Sequence, residues 1–282
     1  MKEIIISKFC GFCSGVKRCI SSVEEELKSK KEVYSIGEII HNPYEIKRLE
    51  DMGMKVISDV KELGEINKKI TLVIRTHGIE KQLYENLKNN SNIEILDGTC
   101  PMVKRTQQVV GDYSKKGFNV VIYGDKQHPE IKALVSYISD GVRYIVINSK
   151  EEIKEITFDE NMILVAQTTK PQKEYLEIIN ILKSKYKKIK IFDTICKETV
   201  LREKDIEKIA KKVDVVLVIG GKNSANTNKL VYTARLYNNN VFLIENENDL
   251  LKINLSFNKV GVISGSSTPM WLVEKIVNHI NA

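Results

Sequence analysis

The chain has 282 residues, 42% hydrophobic and 29% charged, with 44 Lys+Arg against 37 Asp+Glu for a net charge of +7. This is the composition of a globular protein long enough to bury a large core. It excludes a disordered chain, and five cysteines spread over the whole length exclude a disulfide scaffold. No apolar run approaches the ~20 residues that cross a bilayer, and the start, MKEIIISKFCGFC, lacks the apolar stretch of a signal peptide. The expected location is therefore the cytoplasm, where thiols stay reduced, with no membrane partner.

In chain order, strands are predicted at 3–7, 71–75, 93–96, 119–123, 144–147, 162–166, 188–192, 213–220, 241–244 and 259–264. Most are apolar throughout, the pattern of strands buried on both faces of a parallel sheet. Amphipathic helices are predicted between them. Val16, Ile20, Val23 and Leu27 recur at helical spacing after Cys13; Val103, Val110 and Tyr113 do so after Cys100; and Leu201, Ile209 and Val213 after Cys196. Alternation of this kind implies an α/β fold with mainly parallel sheets. The densest basic run, KSKYKKIK at 183–190, reads as a solvated helix end. No basic stripe interleaves with aromatics, so a nucleic-acid partner is not expected; mild basicity suits anionic small molecules or an acidic protein.

Three times a strand runs into a short loop, a cysteine and a helix: IIISKFCGFCSGV, IEILDGTCPMV and IKIFDTICKET. The simplest account is three similar α/β domains, 14–99, 100–195 and 196–282, the last completed by the N-terminal strand 1–13. Each domain offers two more polar loops at strand ends: 37–43 and 74–80, 123–130 and 166–171, 220–228 and 264–269. Ligands of open α/β sheets bind beyond the carboxyl ends of the strands. If three sheets converge by those ends, the loops surround one central cavity. Three of the four histidines, His41, His77 and His128, fall in these loops, whereas His279 lies on a C-terminal helix.

The cysteines come first in the chemistry. A thiol at a helix N-terminus is expected to ionise more readily, and a soft thiolate set suits zinc or an iron–sulfur cluster. Cys13, Cys100 and Cys196 together would leave one coordination position open; separately, they would be three packed residues. Cys10 and Cys13 form a CxxC, but no second pair accompanies it and Cys10 falls outside the repeat. Cys19 reads as a packed helix residue. The loops GGKNSANTN and SGSSTP are dense in donors and can hold phosphate or simply cap a helix. Each histidine alone is a scaffold residue; three in equivalent loops favour an anion site. Glu130, two residues after His128, is either a desolvated proton donor or an acid in a first helical turn. Thr168 either relays a proton or holds a substrate hydroxyl, or serves only as a turn residue.

The motifs GFCSGV, IIHNPY, RTHG, GTCPMV, HPE, QTT, TIC, GGKNSANTNKL and SGSSTP follow one another over nearly the whole chain. In this order they resemble the 4-hydroxy-3-methylbut-2-enyl diphosphate reductases. The resemblance implies three α/β domains around a pseudo-threefold axis and a central [4Fe–4S] cluster. Cys13, Cys100 and Cys196 match its ligands, leaving one iron open to the substrate hydroxyl. It implies that His41, His77, His128, Ser224, Asn226 and Ser267 bind the diphosphate of an allylic substrate. Glu130 would donate the proton, and Thr168 would lie beside the substrate hydroxyl. The implied reaction is reductive removal of that hydroxyl to give isopentenyl and dimethylallyl diphosphate, with electrons from a ferredoxin or flavodoxin. Two positions depart from the family pattern: Ala225 replaces a second serine, removing one hydroxyl contact, and Lys197-Glu198 follows Cys196. The rival readings are a hydro-lyase that needs no reductant and a non-catalytic cluster or zinc protein that needs no Glu130.

Overall fold

The computed structural model describes residues 2–29, 31–64, 66–158, 161–253 and 256–281. Met1 and Ala282, the outer bounds of the expected domain ranges, lie outside the described residues. The element order begins β1 (Glu3–Ile6), α1 (Ser14–Lys28), β2 (Val33–Ile36), α2 (Pro43–Asp51), β3 (Lys55–Ile57), β4 (Ile70–Ile74), α3 (Lys81–Lys88) and β5 (Ile93–Asp97). It continues with α4 (Pro101–Ser114), β6 (Asn119–Tyr123), α5 (Pro129–Val135), β7 (Tyr144–Ile147), β8 (Met162–Ala166), α6 (Gln172–Lys185) and β9 (Ile189–Ile191). The last elements are α7 (Lys197–Ala210), β10 (Val215–Ile219), α8 (Ala225–Arg235), β11 (Val241–Ile244), α9 (Glu247–Leu250), β12 (Lys259–Ser264) and α10 (Met270–Asn281). Among the described residues no helix is long and apolar enough to cross a membrane.

The strands form three four-stranded sheets with orders β3-β2-β4-β5, β7-β6-β8-β9 and β11-β10-β12-β1. All three follow one plan: the first strand of each set pairs with the second on one side and the third on the other, and the fourth closes the far edge. The pairs run parallel, as in Leu72 opposite Ile95 and Val121 opposite Leu164. The N-terminal strand supplies the fourth place of the last sheet, with Ile4 opposite Val260 and Ile6 opposite Val262. Parallel pairing requires a crossover between strands, and the helices provide it.

By compactness the chain divides into two units: Met1–Ser29, Glu38–Val56 and Lys197–Ala282 form the first, and Lys30–Gly37 with Ile57–Cys196 the second. In the first unit, Val216 and Val218 of β10 bury one face under α7 and α8 through Ile206, Ile209, Leu230 and Ala234. Val215, Leu217 and Ile219 bury the opposite face with Leu272, Val273 and Ile276 of α10. Two covered faces explain why β10 is apolar at every position. In β12, a Cβ at Gly261 would lie 2.5 Å from Ile209, so the glycine lets α7 pack close. In the second unit, Val120, Ile122, Ile163 and Val165 pack with Val110 of α4 and Ile131 and Leu134 of α5. Leu72 and Ile74 pack with Leu87 of α3.

Two strands escape the sequence pattern. Val33-Tyr34-Ser35-Ile36 carries a buried serine in an inner strand, where the Ser35 hydroxyl donates to the Gly37 carbonyl at 3.0 Å. Lys55–Ile57 is a three-residue edge strand with only Ile57 buried. The predicted apolar stripe of α7 is also displaced. Leu201 is 45% exposed, and the buried face runs through Thr199, Arg202, Ile206, Ile209 and Ala210.

Candidate active site

The three cysteines occupy the same local structure. Each follows the fourth strand of its sheet and immediately precedes a helix: Cys13 before α1, Cys100 before α4 and Cys196 before α7. Each cysteine N–H donates to the loop after the third strand: Cys13 to the Ser266 carbonyl at 3.0 Å, Cys100 to Thr76 at 2.9 Å and Cys196 to Thr168 at 2.9 Å. The bond fixes the thiol against that loop. No disulfide joins the cysteines among the described residues.

In the second unit the polar residues converge. Burial pushes the Cys100 thiol up; the N–H groups of Met102 and Val103 favour its thiolate, and Cys196 and Glu130 lie close enough to disfavour it. The helix N-terminus therefore acts as expected but is outweighed by desolvation. His128 caps α5, its Nδ1 accepting from the Glu130 N–H at 3.2 Å. In the neutral ring this leaves the proton on Nε2 as a donor. The His77 ring meets it edge-on, with centroids 5.3 Å apart. Pro129 supplies the fixed φ of the first helical position, which places Glu130 at the second. There Glu130 is only 2% exposed. One carboxylate oxygen accepts from the Thr168 N–H and the other from the Thr168 hydroxyl, both at 2.7 Å. Burial raises its pKa to about 7, with the two Thr168 bonds pulling the other way. Gln167 braces the pair: its Oε1 accepts from the Asp125 N–H at 3.0 Å and its Nε2 donates to Thr169 at 3.1 Å.

The first unit holds the remaining donors. Ser224 caps α8, accepting from the Thr227 N–H at 3.3 Å. Asn226, at the second helical position, is buried, and its Nδ2 has no hydrogen-bond partner among the described residues. The Ser267 hydroxyl donates to the His41 carbonyl at 3.4 Å. A Cβ at Gly221 would lie 2.5 Å from that same oxygen, so only glycine lets the two loops approach. Asn42, next to His41, caps α2 by accepting from the Glu45 N–H at 3.1 Å.

The loop before Cys13 is held by Arg202. Its guanidinium, on a residue 2% exposed, donates to the carbonyls of Phe9, of Gly11 at 2.9 Å and of Ser264 at 3.0 Å. Nothing in the sequence marks Arg202 out from the other charges of its helix. Gln167, by contrast, was visible in the QTT motif, though without a role. Cys10 is half-buried beside Ser264, and desolvation pushes its thiol up to about 11, an unreactive environment. Cys19 packs in the buried face of α1.

Thiols, imidazoles, hydroxyls and a buried acid, set in the loops and first helical turns beyond the ends of parallel strands, mark these strand ends as the candidate site of an α/β enzyme. Residues 4–281 match the LytB protein family. The chain belongs to that family. It is 42% identical over 280 residues to the 4-hydroxy-3-methylbut-2-enyl diphosphate reductase of Campylobacter lari, covering 99% of this chain and 97% of the relative. With the enzyme of that name from Caldanaerobacter subterraneus subsp. tengcongensis it shares 40% over 283 residues, covering 99% and 97%. A solved structure of (E)-4-hydroxy-3-methyl-but-2-enyl diphosphate reductase, the terminal enzyme of the non-mevalonate pathway, superposes with a TM-score of 0.73 at 37% identity, covering 100% and 99%. The E-1-hydroxy-2-methyl-but-2-enyl-4-diphosphate reductase of Plasmodium falciparum gives 0.88 at 29% identity, covering 98% of this chain and 87% of that one.

Proposed function

We propose that the chain reduces (E)-4-hydroxy-3-methylbut-2-enyl diphosphate to isopentenyl and dimethylallyl diphosphate, in the non-mevalonate isoprenoid pathway. The observation that carries this reading is the buried Glu130–Thr168 pair beside Cys100 and Cys196. A poised acid next to soft ligands is what removal of a hydroxyl by protonation and reduction requires.

The donor set fits an iron–sulfur cluster: three half-buried sulfurs in equivalent backbone settings, with the N–H groups of α4 favouring the Cys100 thiolate. Cys13, Cys100 and Cys196 would hold a [4Fe–4S] cluster with one iron open, which would supply Lewis acidity and pass on, one at a time, the two electrons of an external donor. The chain's own residues do the rest. The diphosphate is bound by His41, His77, His128, Ser224, Asn226 and Ser267. The unpaired Nδ2 of Asn226 supports this assignment, because a buried donor without a partner costs free energy that an anion would recover. His128 offers its Nε2 hydrogen. Ala225 contributes only its backbone N–H at the start of α8. Glu130 gives its proton to the departing oxygen, which leaves as water, and Thr168 orients both the acid and the substrate hydroxyl. The allylic carbon skeleton gains two electrons and takes its own proton at either end, which accounts for two products.

The electrons come from an acidic ferredoxin- or flavodoxin-type protein, and the reaction takes place in the cytoplasm. The three sheets of common strand order support a division into domains 14–99, 100–195 and 196–282 with 1–13. Metal and sulfide analysis of anaerobically purified protein tests the reading: about four iron and four sulfide per chain are expected. Ser at Cys13, Cys100 or Cys196 should abolish the visible absorption, and Ser at Cys10 or Cys19 should not. Zinc alone would defeat the cluster, and turnover without a reductant would make the protein a hydro-lyase.

A further inference from the structure

The outer face of α7 is charged in one sense only. Its exposed positions recur at helical spacing as Lys197, Leu201, Lys204 and Lys208. The helix also carries four acids, each turned to a partner elsewhere. Glu198 accepts from Ser14, Glu203 pairs with Lys229 at 3.0 Å, Asp205 accepts from the Ser7 hydroxyl at 2.5 Å, and Glu207 pairs with Lys211 at 2.6 Å. Among the described residues Lys197, Lys204 and Lys208 enter no ion pair.

The neighbouring helix extends this surface. α7 and α8 cover the same face of one sheet and are tied together by the Glu203–Lys229 pair and by the Lys211 ammonium, 4.3 Å from the Tyr237 ring centroid. On their outer side Tyr232 is 65% exposed, Leu201 is 45% exposed, and Arg235 adds another cation. Apolar and aromatic side chains left in water within a cationic rim are the anatomy of a protein-docking surface. Its position matters as well. α7 starts one residue after Cys196, and Glu198 in its first turn accepts from the N–H of Ser14, the residue after Cys13, at 3.2 Å.

We infer that the outer face of α7 and α8 is the docking surface for an acidic one-electron carrier protein. This rests on the reductase reading, which requires two electrons for each hydroxyl removed; two successive encounters with a reduced carrier supply them, and each leaves an oxidised carrier. The charge of the face selects an acidic partner. The helix leads from that face to two of the three thiols assigned to the cluster.

The test uses the anaerobically purified holoenzyme and an acidic [2Fe–2S] ferredoxin as probe. Binding is measured by calorimetry, and turnover with reduced ferredoxin or with reduced methyl viologen. Lys204→Glu/Lys208→Glu should weaken ferredoxin binding and raise its KM by about tenfold or more at low salt, with a flatter salt dependence. Viologen-driven turnover should be unchanged, which also shows that the variant is folded. Lys183→Glu/Lys187→Glu, the same charge change at the exposed end of α6, should leave ferredoxin binding as it was. Equal weakening by both double variants, unchanged affinity in the α7 variant, or wild-type binding to anionic lipid vesicles but not to ferredoxin would each overturn the inference. A wild-type protein that binds ferredoxin through α7 but reduces no substrate with either reductant would strike the reductase reading instead.

Discussion

Replacing Glu130 by Gln isolates what ionisation costs at the centre of the second unit. The amide is nearly the carboxylate's shape. Its oxygen can accept the Thr168 N–H, and the Thr168 hydroxyl can turn to accept from its nitrogen, so the two 2.7 Å contacts need not be lost. What disappears is the titration. Burial holds the Glu130 pKa at about 7 against an ordinary 4.5. Between those values the folded protein keeps a proton that the unfolded chain releases, so stability falls as pH rises. The penalty is absent below about pH 4.5, grows through the window and is complete above about pH 7. At ~1.4 kcal/mol per pH unit it reaches about 3 kcal/mol. Glu130→Gln should therefore come within about 1 kcal/mol of wild type near pH 5 and exceed it by about 3 kcal/mol at pH 9. For a chain of this length that is roughly 5 °C in melting temperature. Anaerobic thermal melts of both proteins at the two pH values provide the measurement. A difference that does not change with pH would show that the carboxyl titrates as an exposed one does, and its role as a neutral-pH acid would fall with it.

Thr168→Val removes the hydroxyl that favours the Glu130 carboxylate. The pKa of the acid should rise further, so the alkaline limb of the kcat–pH profile moves to higher pH while kcat on the plateau drops about tenfold or more; an unshifted limb would contradict the contact. Arg202→Met keeps the volume but strands the carbonyls of Phe9, Gly11 and Ser264. A loss of roughly 3 kcal/mol is expected, read as a lower melting temperature together with reduced iron content, because the loop that carries Cys13 loosens. Gly221→Ala places a methyl group 2.5 Å from the His41 carbonyl and should raise KM for the diphosphate substrate about tenfold, on the order of a lost hydrogen bond to charge, with visible absorption retained.

The legible parts of the fold are those where burial is two-sided. β10, β8 and β6 are buried at every position, so their apolar runs needed no register to be recognised. β2 was not legible because its inner position is shared by Ser35, a polar residue that bonds locally rather than to its neighbours. The buried face of α7 departs from the apolar pattern for a related reason. Leu201 suggested the buried stripe, whereas the helix buries Arg202, whose charge is satisfied by three carbonyls supplied from remote parts of the chain. Pattern reading counts apolar residues, and a paired buried guanidinium is invisible to it. The candidate residues themselves were visible in the sequence as short motifs of chemically distinctive residue types. Their energetics were not: the expected ease of thiol ionisation at Cys100 depends on burial, which no local sequence specifies.

The common strand order also explains how one backbone plan yields different chemistry. In each sheet the loop after the first strand ends at a helix cap: Asn42 for α2, His128 for α5 and Ser224 for α8. The second helical position is then Tyr44, Glu130 or Asn226. Tyr44 is exposed, and the other two are buried. A buried side chain at this position lies beside the unpaired N–H groups of the first turn, where the helix dipole favours negative charge. In α8 the position carries a neutral amide, whose Nδ2 has no hydrogen-bond partner among the described residues. In α5 it carries the acid itself, and burial outweighs the dipole and raises its pKa to about 7. The same position thus holds a buried neutral amide in α8 and a buried titratable acid in α5. The backbone bond from each cysteine N–H to the loop after the third strand stays the same in all three cases.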